Sequence, residues 1–260
     1  MSLVYLITGL PQLRRDQPSP LPRAEFVRRC RDLLEGPDLA ELELMLRIEA
    51  VEETIRLDLE TRLRGGDADD ALTAIITQRS DGADVEQLPE WVLRPALQHE
   101  LMRRHYFELT REAQTEFLRG WANFRVDIGE ISTAALAKQQ GLSRDAFLEQ
   151  MLGSFDASAP LILRHWEEPD LGLGRRFSWL PTVMAALADD DLMAMSRTLD
   201  DVAWDKIESM QPLELFSVET LLATYLKLRI LEREASWDAE AGAEVLARIL
   251  TLPPEAGLTA

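Results

Sequence analysis

The clearest pattern along the chain lies near its middle. Met102, Tyr106, Leu109, Ala113, Phe117, Trp121, Phe124, Ile128 and Ile131 recur every three or four residues. Eight steps cover 29 residues, about 3.6 per step, which is the period of an α-helix. This predicts one long amphipathic helix from about Ala96 to Ile131, with the aromatic stripe read as core. A second stripe, Leu44, Ile48, Val51, Ile55, Leu59 and Leu63, predicts a long helix that Gly65-Gly66 ends. Asp38 with Glu41 three residues on reads as its capping-box start. Upstream, Phe26, Val27, Cys30, Leu33 and Leu34 share one helical face, stopped by Gly36-Pro37. Leu3 to Leu10 fits helix or strand equally, and Pro11, Pro18, Pro20 and Pro22 make an extended connection after it.

A short helix is expected around Ala71 to Arg79. Further helices are expected from Pro181, from Asp189 to about Met210, from Phe216 to about Ala235, and from Asp238 to Leu250. The stretch Val218 to Leu231 is apolar almost all round, which predicts a buried central helix. Glu167 to Ser178, with Pro169, Gly172 and Gly174, is the best internal linker or reorienting loop. Composition agrees with this reading. The chain has 44 Leu against 21 Val plus Ile, and no proline from Asp38 to Leu88, Ala96 to Ala159 or Leu213 to Leu252. The expected fold is all-α, a single helical domain over residues 1–260 with an internal break at 167–178.

Charge then narrows the function classes. With 46 Asp plus Glu against 28 Lys plus Arg, the net charge is −18, which argues against a chain that coats nucleic acid or anionic lipid. Cys30 is the sole cysteine, so internal disulfides and cysteine-based zinc sites are out. No run of 18 apolar residues occurs, and Leu3 to Leu10 lacks a basic leader and a small-residue cleavage site. A cytoplasmic location is expected.

Each chemistry-like pattern has a plainer reading. His99-Glu100 and His105 lack zinc-protease spacing, because the two histidines stand about 240° apart on a helix. Asp67, Asp69 and Asp70 start no calcium loop, since Leu72 and Gln78 occupy the positions that need Gly and Glu. Asp200, Asp201 and Asp205 resemble the aspartate-rich magnesium sites of helical isoprenoid enzymes, but no second metal-binding helix is evident, and a solvated face is expected. Gly172-Leu173-Gly174 before Arg175-Arg176 follows no predicted strand and is no phosphate loop. Thr133 to Phe147, with Ala137, Gly141 and Phe147, matches helix-turn-helix spacing. Its second helix carries Arg144 against Asp145 and Glu149, too few donors for phosphate contacts, so a plain helical hairpin is expected. No catalytic, cofactor-binding or metal-ligating residue is assigned.

More specific than composition are several ordered segments. They are Tyr5-Leu-Ile-Thr-Gly-Leu-Pro11; Tyr106-Phe-Glu108 with Trp121, Asn123, Phe124 and Arg125; and Pro169-Asp-Leu-Gly-Leu173. Leu199-Asp-Asp-Val-Ala-Trp204-Asp-Lys-Ile-Glu208 follows, then the run Phe216 to Arg233. In this order they resemble an uncharacterised bacterial family encoded beside V/A-type ATPase subunits, which in turn is similar to the C-type stalk-to-ring socket of those rotary ATPases, the counterpart of the eukaryotic d-type one. The resemblance covers about Leu3 to Leu250. It implies an all-α, non-catalytic coupling component without cofactor, placed between the central rotor stalk and the membrane rotor ring. Those ATPase subunits would be its partners, and it would meet the membrane only peripherally, through the complex, with no direct insertion and no nucleic acid. The C-type socket proper is longer and built of three related lobes, whereas this chain shows no internal repeat. The alternatives are a helix-turn-helix regulator using Thr133 to Phe147 and a helical metal-dependent enzyme using Asp200, Asp201 and Asp205. In the C-terminal segments, Trp204 and Tyr225 are expected to fill inter-helix space, and Lys227 and Arg229 to pair with buried acids or else to mark an interface, the pairing being the favoured reading.

Overall fold

A computed structural model describes residues 2–15, 17–63, 111–139, 141, 143–145 and 159–235, with residue 2 and residues 51–63 as helical backbone only. The helices among them are α1 (Ser2–Thr8), α2 (Arg23–Leu33), α3 (Gly36–Leu63), α4 (Glu116–Gln139), α5 (Ala159–Arg164), α6 (Leu180–Ala188), α7 (Leu192–Ser209) and α8 (Val218–Ala235). The described residues contain no strand, so the all-α expectation holds for them. None of these helices is long and apolar enough to cross a membrane.

Leu3 to Leu10, open between helix and strand on sequence, is helical through Thr8. Its hydroxyl donates to the Val4 carbonyl at 2.8 Å. α2 buries Phe26 and Cys30, as its apolar face predicted. It starts at Pro22 without a side-chain cap of its own. The first N–H, on Arg23, instead donates to Glu232 of α8 at 2.6 Å, so a distant carboxylate satisfies an orphan donor.

The capping-box reading of Asp38 and Glu41 is corrected. α3 begins at Gly36, which places Asp38 inside its first turn. Glu41 is buried and turns away from its own helix. Its carboxylate accepts the N–H groups of Gln114 (3.0 Å) and Thr115 (2.8 Å) and the Thr115 hydroxyl (2.6 Å). The same contact corrects the single helix expected from Ala96 to Ile131. Residues 111–112 are helical, 113–115 are not, and α4 restarts at Glu116. Thr115 caps it by accepting the Leu118 N–H at 3.2 Å. A buried acid that takes two backbone donors makes an interruption there cheaper than a continuous helix with an unpaired carboxylate. α4 also runs past Ile131 to Gln139. The expected helices near Ala71 and Asp238 lie outside the described residues.

α8 is the central element. Ten of its residues are buried, from Val218 through Leu231, and it packs on α1, α2, α3, α4 and α7. The main core gathers Phe26, Leu42, Phe117, Leu118, Trp121, Trp204, Ile207 and Tyr225 around it. A second cluster lies beyond the middle of α4, where Ile131, Ala134 and Ala137 meet Ile162, Trp166, Leu171, Leu173 and Leu180. Residues 165–179 are a run of consecutive turns that joins α5 to α6.

Three aspartates shape the α6–α7 corner. Asp189 closes α6, and Asp190 adopts φ 55°. The Asp191 N–H reaches back to the Ala186 carbonyl at 2.8 Å, a Schellman-type closure. The Asp191 carboxylate then accepts the Ala194 N–H at 2.8 Å and caps α7.

Candidate functional site

The residues singled out near the C-terminus converge on one feature, a set of charged pairs that ties α8 to its neighbours. In its C-terminal half, the charged positions Lys227, Arg229, Glu232, Arg233 and Glu234 interrupt the apolar run. Each meets an opposite charge on another element.

Glu49 of α3 stands between two guanidiniums, Arg23 of α2 and Arg229 of α8, the latter at 3.1 Å. Arg23 also reaches Glu232 at 3.2 Å and lies 5.7 Å over the Tyr225 ring. Four charges from three helices thus form one partly buried group. Removing one member would strand the others, which makes such a network costlier to break than to keep.

Just before Arg229 on α8, Lys227 pairs with Glu208 of α7 at 3.0 Å, and its ammonium lies 4.9 Å over the Trp204 ring. The Trp204 indole N–H donates to the same Glu208 oxygen at 3.0 Å. The hydrogen bond from Lys227 lowers the Glu208 pKa below the usual carboxylate value, with a smaller contribution from Trp204. Trp204 and Tyr225 are both buried, so they fill inter-helix space as expected. Arg15, on the proline-rich segment before α2, adds a further brace. It meets Asp201 at 3.0 Å and Glu234, and its guanidinium lies 5.9 Å over the Trp204 ring.

The three aspartates of the metal reading are therefore separated. Asp200 is fully buried against Arg233, Asp201 holds Arg15, and Asp205 is exposed. The expected solvated face is corrected for Asp200, whose burial no charge count could reveal. Among the described residues, no three His, Cys, Asp or Glu side chains are grouped to hold a metal ion. His99, Glu100, His105 and the Asp67 to Asp70 cluster lie outside the described residues.

At the would-be phosphate loop, the amides of Gly172 and Gly174 both donate to Asp170 at 3.1 Å. The loop's donors are taken by the chain's own carboxylate, consistent with the sequence reading. Of the helix-turn-helix pattern, the first helix reaches Gln139, Gly141 takes φ 74°, and Arg144 and Asp145 are exposed. Phe147 and Glu149 lie outside the described residues.

A cavity of about 480 Å³ opens between α1 and α2, beside Tyr5, Leu10, Phe26, Arg28, Arg29 and Asp32. Its two arginines are engaged: both hold Glu25, at 2.8 and 2.7 Å, and Arg28 also holds Asp32 at 3.0 Å. The hydrogen bonds from Arg28 and Arg29 lower the Glu25 pKa to about 2. Nearby, burial pushes the Cys30 thiol up to about 12, which leaves it protonated and unreactive at neutral pH.

The family model for "Protein of unknown function (DUF2764)" matches residues 1–252. The chain belongs to this family. No curated protein and no solved structure matches it. In this family member, the charged pairs that link α2, α3, α7 and the segment before α2 to α8 serve as cross-braces. Sequence reasoning favoured buried acid partners for Lys227 and Arg229; Glu49 is largely buried, whereas Glu208 is half-exposed. It missed Arg15, Arg23 and Glu49, and it gave Glu41 a local capping role instead of its distant one.

Proposed function

We propose that this protein is a non-catalytic, V/A-type ATPase-associated component similar to the C-type socket, coupling the central rotor stalk to the membrane ring. One structural observation carries the reading: α8 is braced by charged pairs to α2, α3, α7 and the segment before α2. A part that passes torque must move as one body. Ion pairs that cross between helices resist sliding in directions where apolar contacts alone slip. The ordered segments from Tyr5 through Arg233 support the ATPase assignment by resemblance.

The acidic surface speeds docking to basic partner surfaces, so assembly slows as salt rises. The test is affinity purification of the tagged full chain from its native cell in gentle detergent. Recovery of rotary-ATPase subunits, with no ATP hydrolysis by the isolated chain, is the expected result. Recovery of none of them from a cell that assembles the complex would overturn the reading.

A further inference from the structure

The loop 211–217 between α7 and α8 places three large apolar side chains in water within four residues. Leu213 is 103% exposed, Leu215 68% and Phe216 45%. Burying such side chains removes apolar surface from water, so three together are a large unused driving force. The loop is anchored at both ends. Met210 closes α7 through its N–H to Lys206 and packs against Gly120 of α4, while Val218 is buried at the start of α8. The apolar residues are therefore held outward by a fixed frame.

The charged residues from 205 to 219 are predominantly acidic. Asp205 stands exposed on the last turns of α7, Glu214 lies between the two leucines, and Glu219 opens α8, while Glu208 is already held by Lys227. Lys206, the single base from 205 to 219, leans over the Phe124 ring at 6.0 Å. An acidic rim disfavours an anionic lipid surface. It equally disfavours a second copy of a chain whose own net charge is −18.

We propose that this loop docks into an apolar pocket rimmed by Lys or Arg on a partner protein, with Leu213, Leu215 and Phe216 as anchors and Glu214 facing the rim. This docking is independent of the rotary-ATPase reading, because any partner with that surface satisfies it. It is tested in the native cell, on the full chain, with a photo-crosslinking amino acid placed at Leu213 and, as a control, at exposed Ser178 in the second core region.

The expected result is one dominant adduct from position 213 and not from 178, mapping to partner residues flanked by Lys or Arg. Glu214→Lys lowers that adduct about tenfold, and changing the mapped base to Glu restores it. Glu214 is exposed, so an unchanged circular dichroism spectrum separates lost docking from lost folding. An adduct with a second copy, with lipid, with a segment lacking basic residues, or none at all would overturn the proposal. So would a charge swap that fails to restore it.

Discussion

The two halves of α4 sit in different surroundings. From Phe117 to Val126 the helix offers large side chains, Phe117, Leu118 and Trp121, to a core shared with α2, α3, α7 and α8. From Ile131 onward it offers Ala134 and Ala137 to α5 and the turns that follow. Large residues keep helices apart and fill the space between them; alanines let irregular backbone come close. The first region is therefore helix against helix, and the second is helix against consecutive turns.

The manner of polar satisfaction differs in the same way. In the first region, side-chain charges meet mainly side-chain charges across helices, and Glu41 and Glu232 also take backbone amides of other elements. In the second, side chains satisfy backbone. Lys138 donates to the carbonyls of Trp166 (2.6 Å) and Glu168, and Asp170 accepts two loop amides. A run of turns leaves its peptide groups without regular partners, and these contacts supply them. Leu171 holds φ 54°, a conformation that costs roughly 1–2 kcal/mol for a residue with a Cβ. Its complete burial contributes about 1.5–3 kcal/mol, so the strained turn is kept by packing.

Four measurements test this contrast. The largest effect is expected in the helical region, where Trp121→Ala should lower stability by about 3–5 kcal/mol in denaturant unfolding. A change below about 0.5 kcal/mol would mean that the side chain is not core. Ala134→Leu should cost about 1–3 kcal/mol by overpacking. Hydrogen exchange should rise over 159–188 and stay unchanged in α8; equal loss in both would erase the distinction between the regions.

Gly172→Ala should cost upwards of about 1–2 kcal/mol, because φ there is 67° and a Cβ would meet His165 Cβ at 2.6 Å. A thermal midpoint equal to that of the parent would show that the turn has another way to close. The smallest effect concerns Glu208, which is half-exposed. Its lowered pKa means that its stabilisation is complete above the ordinary value of 4.5 and fades as pH falls through the folded value. Glu208→Gln should therefore be less stable by about 0.2–1 kcal/mol at neutral pH, with the gap closing below pH 4.5. A gap that persists in acid would assign the effect to packing on Trp204 instead of to charge.

Much of this fold was legible along the chain because helix formation writes a period into the positions of apolar residues. Of the described stripe, Ala113, Phe117, Trp121, Ile128 and Ile131 are buried as read and Phe124 only partly, and the all-round apolar run from Val218 marks the central helix. Lys227 and Arg229 announced their pairing because a charge within such a run needs a partner. The break at 113–115 left no such mark: Ala113 and Phe117 keep helical spacing across it. The cause is Glu41, 73 residues from Gln114, whose pattern with Asp38 suggested a local cap.

What the sequence by itself determined is therefore the helical class, most helix limits near the C-terminus, and which positions must leave water. Those follow from local periodicity and from the cost of exposing apolar area. Only the tertiary structure decided which acid meets which base, that Asp200 is buried while Asp201 and Asp205 are not, and where α4 begins. A carboxylate can satisfy its neighbours, its own helix or a distant amide at similar cost. The choice among them falls to whichever donor the packed helices bring within hydrogen-bond distance.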